Sequence, residues 1–109
     1  MLTETRTITI NDEGLEPWLV DVVRNTALLF PQIRAVKLFG SYATGKIHPQ
    51  SDVDLAFETD EIDRTTWRHI TDIVNITDKL TKVDCIHLNK APPGLRNEIE
   101  RDGKAIYVR

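Results

Sequence analysis

Cysteine is nearly missing from this chain: Cys85 stands alone among 109 residues, so no internal disulfide can form and no thiolate metal cluster can be built. Aromatic residues make up only 6%. No stretch approaches the roughly 18 apolar residues of a membrane span. The first ten positions carry Glu4, Arg6 and four threonines, a composition unlike a secretory leader; a cytoplasmic protein is expected. Positive charge is not in excess either. The net charge of −3 argues against nucleic-acid binding driven by bulk charge, although a nucleotide needs only a few local cations. Repeats, low-complexity runs and interior linkers are absent, and the length suits one domain.

What is present is periodicity. Thr5 to Ile10 alternates polar and apolar residues and reads as a short edge strand or an ordered arm. From Leu15, the positions Leu15, Trp18, Leu19, Val22, Thr26, Leu29 and Phe30 recur at helical spacing, with Asn11 or Asp12 as cap, Pro17 in the first turn and Pro31 as stop. Ala35 to Phe39 reads as a buried strand and Ser41 to Lys46 as a tight turn with one helical turn. Asp52 to Glu58 alternates strictly, with Val53, Leu55 and Phe57 on one face. Asp63 caps a helix expected to run from Arg64 to Leu80 along Trp67, Ile70, Val74, Thr77 and Leu80. Lys82 to Leu88 is a third strand. Pro92 or Pro93 opens a last helix that Gly103 ends as a left-handed cap, and Lys104 to Val108 is the final strand. The order is that of an α/β (α+β) fold, layered around one sheet.

Three features carry chemistry. Gly40 and Ser41 follow a buried strand directly; without a β-carbon Gly40 lets a backbone approach a ligand, and the amides after it attract anions. Asp52 and Asp54 project from one strand face roughly 7 Å apart, where they repel by about 2 kcal/mol at an effective dielectric near 20. A divalent cation reverses the sign, and magnesium suits oxygen donors shared with phosphates. Asp84, flanked by Val83 and Cys85, could complete a carboxylate triad if its strand lies beside that of Asp54. The bland counterparts are a solvated strand face and an aspartate paired with Lys79 or Lys82.

Together these residues resemble a known family. Phe39 to Leu55, FGSYATGKIHPQSDVDL, is similar to the signature of the polymerase-beta-type nucleotidyltransferases, in particular the minimal nucleotidyltransferases that act as antitoxins of HEPN partners. Gly-Ser is followed after ten residues by Asp-hydrophobic-Asp-hydrophobic, and Asp84 matches the family's third acid. The resemblance implies a mixed sheet with helices packed around it in a single domain over residues 1–109, with 1–12 as arm or edge strand. It implies Asp52, Asp54 and Asp84 as catalytic and metal-holding residues, Asp84 being either general base or ligand of a second ion. Gly40, Ser41, Lys46 and Ser51 become the nucleotide-binding residues. The implied reaction moves a nucleoside monophosphate, AMP from ATP with one or two Mg2+ ions, onto a hydroxyl, with a tyrosine of a small all-helical HEPN-type protein as acceptor. The implied assembly is a homo-oligomer or hetero-oligomer, with neither membrane nor nucleic acid as partner.

Many relatives read Gly-Ser-Arg-Ala-Arg-Gly where this chain has Tyr42 and Thr44, so two cations are missing and Lys46 is the candidate substitute. The competing expectation is a transferase-fold module that neutralises its partner by contact alone. Gly40 to Lys46 also fits the opening of a P-loop, but Ile47 stands where that loop needs Ser or Thr. Among the histidines, His48 lies near the proposed site, while His69 and His87 have no metal-ligand spacing. Cys85 reads as a small buried hydrophobe, Trp18 and Trp67 as core, and Arg64 and Arg68 as solvated charges.

Overall fold

The computed structural model describes residues 8–40, 53–76 and 83–109. Ser41, Lys46, Ser51 and Asp52, the predicted helical turn at Ser41 to Lys46, and the basic residues Lys79 and Lys82 lie outside them, as do His48 and most of the N-terminal arm.

Helix α1 spans Pro17–Leu29. Neither Asn11 nor Asp12 caps it. Glu16 holds the cap position with extended backbone (φ −63°, ψ 139°) and no side-chain hydrogen bond. The cause is Pro17, which suits the first helical position but pushes the residue before it out of the α region. Asp12 instead closes a turn, accepting from the Leu15 N–H at 3.0 Å. Leu19, Val22, Val23 and Ala27 face the core, and Thr26 satisfies its hydroxyl on the Val22 carbonyl at 2.7 Å. Leu29, expected on that stripe, is 60% exposed.

Strand β1 runs Ile33–Phe39, two residues earlier than its predicted start, because fully buried Ile33 already pairs with Thr59 before a register irregularity. Strand β2 is Val53–Thr59, β3 is Val83–His87 and β4 is Lys104–Val108. The sheet order is β3-β2-β1-β4. β1 is antiparallel to both β2 and β4, whereas β2 and β3 run parallel. A parallel pair needs a crossover, and helix α2, Arg64–Val74, lies between them in sequence. Asp63 caps it as expected, accepting from the Thr66 N–H at 2.7 Å. The helix ends at Val74, where Asn75 turns its side-chain amide onto the Thr71 carbonyl at 3.0 Å, offering the backbone an alternative to another helical turn; Thr77 to Leu80, the end of the expected helix, lie outside the described residues.

Val53, Leu55 and Phe57 pack with Leu19, Val23, Leu38, Ile70 and Val74 on one face of the sheet. Strict alternation along β2 fails at Ala56, which is fully buried on the opposite face. There Leu88 and Ile99 cover it, the latter from helix α3, Pro93–Asp102. Leu88, expected at the end of β3, opens a short 3-10 turn to Lys90. Gly103 is not left-handed; its backbone is extended (φ −74°, ψ 152°). Glycine is required there for space, since a β-carbon would stand 2.3 Å from the Ile99 carbonyl oxygen. Of the N-terminal arm, Ile10 bridges Tyr107 on the edge of β4. Among the described residues no helix is long and apolar enough to cross a membrane.

Candidate active site

Strand pairing assembles the site. Phe39, the last residue of β1, is the antiparallel partner of Asp54, and Asp54 is the parallel partner of Asp84. Paired residues project from the same face, and neighbouring strands lie roughly 4.8 Å apart. Two ionised carboxylates at about that spacing repel by roughly 3 kcal/mol at an effective dielectric near 20. Both are half-buried, on the face that Ala56 and Ile86 share, just beyond the area α3 covers. The expectation that the strand of Asp84 lies beside that of Asp54 is met. Asp52 lies outside the described residues, so of the three acids expected only Asp54 and Asp84 are described.

Gly40 closes the row. Its φ is +73°, a left-handed conformation that costs a residue with a β-carbon roughly 1–2 kcal/mol. A β-carbon on it would stand 2.3 Å from Asp54 Oδ2. The sequence suggested that glycine here makes room for a ligand; the crowding is with the carboxylate itself. Gly40 thus sets how closely the chain leaving β1 can pass Asp54. Across three strands the order is the Gly40 turn, Asp54, then Asp84 near the sheet edge. Among the described residues the donors in this row are hard oxygens, and the two aspartates on adjacent strands suit a divalent cation of the magnesium type.

Around this row the polar groups of the other face are satisfied structurally. Asn89 grips both backbone groups of Thr59, accepting from its N–H at 3.0 Å and donating to its carbonyl at 2.8 Å. His87 Nε2 lies 2.9 Å from Thr59 Oγ1, and its ring stacks on Trp67 with centroids 4.6 Å apart. Burial, aided by Lys90, holds the His87 pKa below its usual value. Burial, with Asp84 adding to it, pushes the Cys85 thiol up to about 12. Neither the Trp67–His87 stack nor the Asn89 clamp carries a local sequence signal, because each joins residues 20 or more positions apart.

Comparison with known proteins bears on the family and the fold. The model of the family described as "Polymerase beta, Nucleotidyltransferase" matches residues 23–109. The chain belongs to that family. A relative in Methanocaldococcus jannaschii, described as "Putative protein adenylyltransferase", is 31% identical over 80 residues, covering 71% of this chain and 78% of the relative. Among solved structures, a toxin–antitoxin complex with AMP-PNP shares the fold at a TM-score of 0.67 and 24% identity, covering 83% of this chain and 73% of that one. A Shewanella oneidensis complex of a tri-AMPylated HEPN toxin with its MNT antitoxin gives a TM-score of 0.57 at 21% identity, covering 84% and 68%. For this nucleotidyltransferase the mixed sheet with helices on both faces is therefore the family's fold, as expected.

Proposed function

We propose that this nucleotidyltransferase moves AMP from ATP onto a hydroxyl of a protein, a tyrosine of a HEPN-type partner, and so acts as the antitoxin of a toxin–antitoxin pair. One observation carries the reading: Asp54 is register-paired with Asp84 on one side and lies against the left-handed Gly40 turn on the other, so closely that a β-carbon there would collide with it. That row has a phosphate end at Gly40 and an acceptor end at Asp84. The relative described as a protein adenylyltransferase and the AMPylated toxin complex support the choice of AMP and of a protein acceptor.

In this reading Gly40 and Ser41 present the turn that receives the phosphates, with Lys46 and Ser51 beside it. Asp52 and Asp54 would hold magnesium, which when bound neutralises the triphosphate and the charge developing during transfer. The acceptor oxygen forms a bond to the α-phosphorus as the bond from that phosphorus to the bridging oxygen of pyrophosphate breaks. The acceptor proton passes to the Asp84 carboxylate, and pyrophosphate leaves. Catalysis of this kind comes mostly from positioning and charge neutralisation.

The test is incubation of the purified chain with ATP labelled at the α-phosphate, magnesium and a co-encoded HEPN-type protein. Label on a partner tyrosine is expected, with loss of at least 100-fold in the Asp52→Asn/Asp54→Asn double variant, on the order of what removal of an electrostatic stabiliser costs. Partner inhibition without label would favour the contact-only module; undiminished transfer by the double variant would refute the metal site.

A further inference from the structure

The two edges of the sheet are finished differently. Along β4 the chain covers its own edge: Ile10 bridges Tyr107, and the Asn11 N–H donates to the Ile106 carbonyl at 2.9 Å. Among the described residues β3 pairs only with β2, so one row of its backbone N–H and C=O groups points away from the sheet. Such an edge is a template for another strand unless it is protected.

A cleft of about 410 Å³ lies along this edge. Ile86 and Leu95 line it on the α3 side and the Trp67–His87 stack on the α2 side, with Arg64 and Lys90 also in its wall. Both cations are exposed, and neither makes an ion pair among the described residues. The cleft's acid, Asp63, already accepts from the Thr66 N–H that it caps. Two cations against the ionised carboxylate of Asp63 leave the wall with a small positive excess in a chain whose net charge is −3. Asp84 shares a strand face with Ile86, roughly 7 Å before it. A chain lying along β3 with a side chain in the cleft would bring a residue about two or three positions away to Asp84.

We propose that the β3 edge and its cleft dock the acceptor as an extended segment added to the sheet, with an apolar side chain between Trp67 and Leu95, an acidic one between Arg64 and Lys90, and the hydroxyl residue delivered to Asp84. The naming of Asp84 as the reacting end rests on the transferase reading; the docking itself does not. Main-chain pairing supplies affinity in this mode, and pockets for alternate side chains supply selectivity.

The probes are short capped peptides carrying a tyrosine, two spacer residues, a leucine and a glutamate, in that order and reversed. Their binding to the full chain is followed by anisotropy without nucleotide or metal. One order is expected to bind saturably, with amide shifts concentrated at residues 83–87. Arg64→Glu/Lys90→Glu should weaken it roughly tenfold, the scale of two exposed charge pairs reversed. Methylating alternate peptide nitrogens should abolish binding to the unaltered protein, an arm that needs no variant to fold. Equal affinity for the charge-reversed protein, equal affinity of the methylated peptide, or no saturable binding in either order would each overturn the proposal. If the peptide that binds in the expected pattern receives no AMP once ATP and magnesium are added, the transferase reading is overturned and the docking edge stands.

Discussion

Gly40→Ala separates the two demands that the structure places on this position. A left-handed φ of +73° costs an alanine roughly 1–2 kcal/mol. The new methyl would also stand 2.3 Å from Asp54 Oδ2 and 3.2 Å from Asp54 Cγ, so the carboxylate must leave its rotamer, at about 0.5–1.5 kcal/mol. The expected loss is about 2–3 kcal/mol, which for a domain near this size lowers the melting temperature by roughly 10–20 °C. Urea unfolding followed by circular dichroism measures it. Asp54→Ala removes Oδ2 and Cγ and leaves only the β-carbon, at an ordinary 3.5 Å. In that background Gly40→Ala should cost only the backbone part, leaving a coupling of about 1 kcal/mol in the double-mutant cycle. Gly14→Ala supplies the reference, since Gly14 is also left-handed (φ +74°) and has nothing within 4 Å of its would-be β-carbon. If Gly40→Ala costs no more than Gly14→Ala, or if the cycle is additive within about 0.3 kcal/mol, the claimed crowding of the carboxylate is refuted.

Other consequences can be checked with the same protein. Because the folded His87 pKa is lowered by burial, the unfolded chain binds the proton first as pH falls below about 6.5. Stability from this group is therefore complete above that value and declines as pH falls toward the folded pKa; His87→Phe, which retains a ring beside Trp67, should flatten that part of the melting-temperature profile, and an unchanged slope would refute the assignment. With its pKa pushed up to about 12, Cys85 should react with iodoacetamide near pH 8 on the order of a thousandfold more slowly in the folded than in the unfolded chain; comparable rates would contradict its burial. Asn89→Ala strands two buried-strand backbone groups of Thr59 and should cost about 1–3 kcal/mol. Asn89→Asp should cost at least as much, because a carboxylate oxygen would then face the Thr59 carbonyl; a milder effect in urea unfolding would contradict the bidentate grip.

The elements were legible in the sequence where one local signal decided them. Lys104 to Val108 is the strand expected, and Asp63 caps its helix through the Thr66 N–H. Legibility failed where two local signals competed. Asn11 and Asp12 look like caps, yet Pro17 delays the helix; Gly103 looks like a left-handed stop, yet crowding against Ile99 is what selects glycine. The continuing apolar positions Thr77 and Leu80, which lie outside the described residues, suggested a longer α2 than the one that ends at Val74 beside the Asn75 side chain. Of the candidate site, Gly40, Asp54 and Asp84 were named from local patterns and the strand register brings them into one row, whereas Ser41 and Asp52 lie outside the described residues. The crowding between Gly40 and Asp54 was not legible, nor was the cleft beside β3. Both depend on contacts between elements far apart in sequence, which no spacing rule encodes.

Register links that hidden part of the fold to the chemistry. Side chains alternate faces along a strand, so slipping β3 by one residue against β2 would set Val83 or Cys85 opposite Asp54 and turn Asp84 into the core. The mutual repulsion of two facing carboxylates does not favour the observed pairing. It is held from the other face, where Val53 pairs with Val83 and Leu55 with Cys85 among the residues packed beneath α1 and α2. It is held again at the far end of the sheet, where Asn89 takes both backbone groups of Thr59 and His87 meets its hydroxyl. The apolar core thus sets the alignment of the acids. A substitution such as Phe57→Ala, which opens a cavity beneath Trp67 and should cost about 3–5 kcal/mol, would therefore impair the site without touching it.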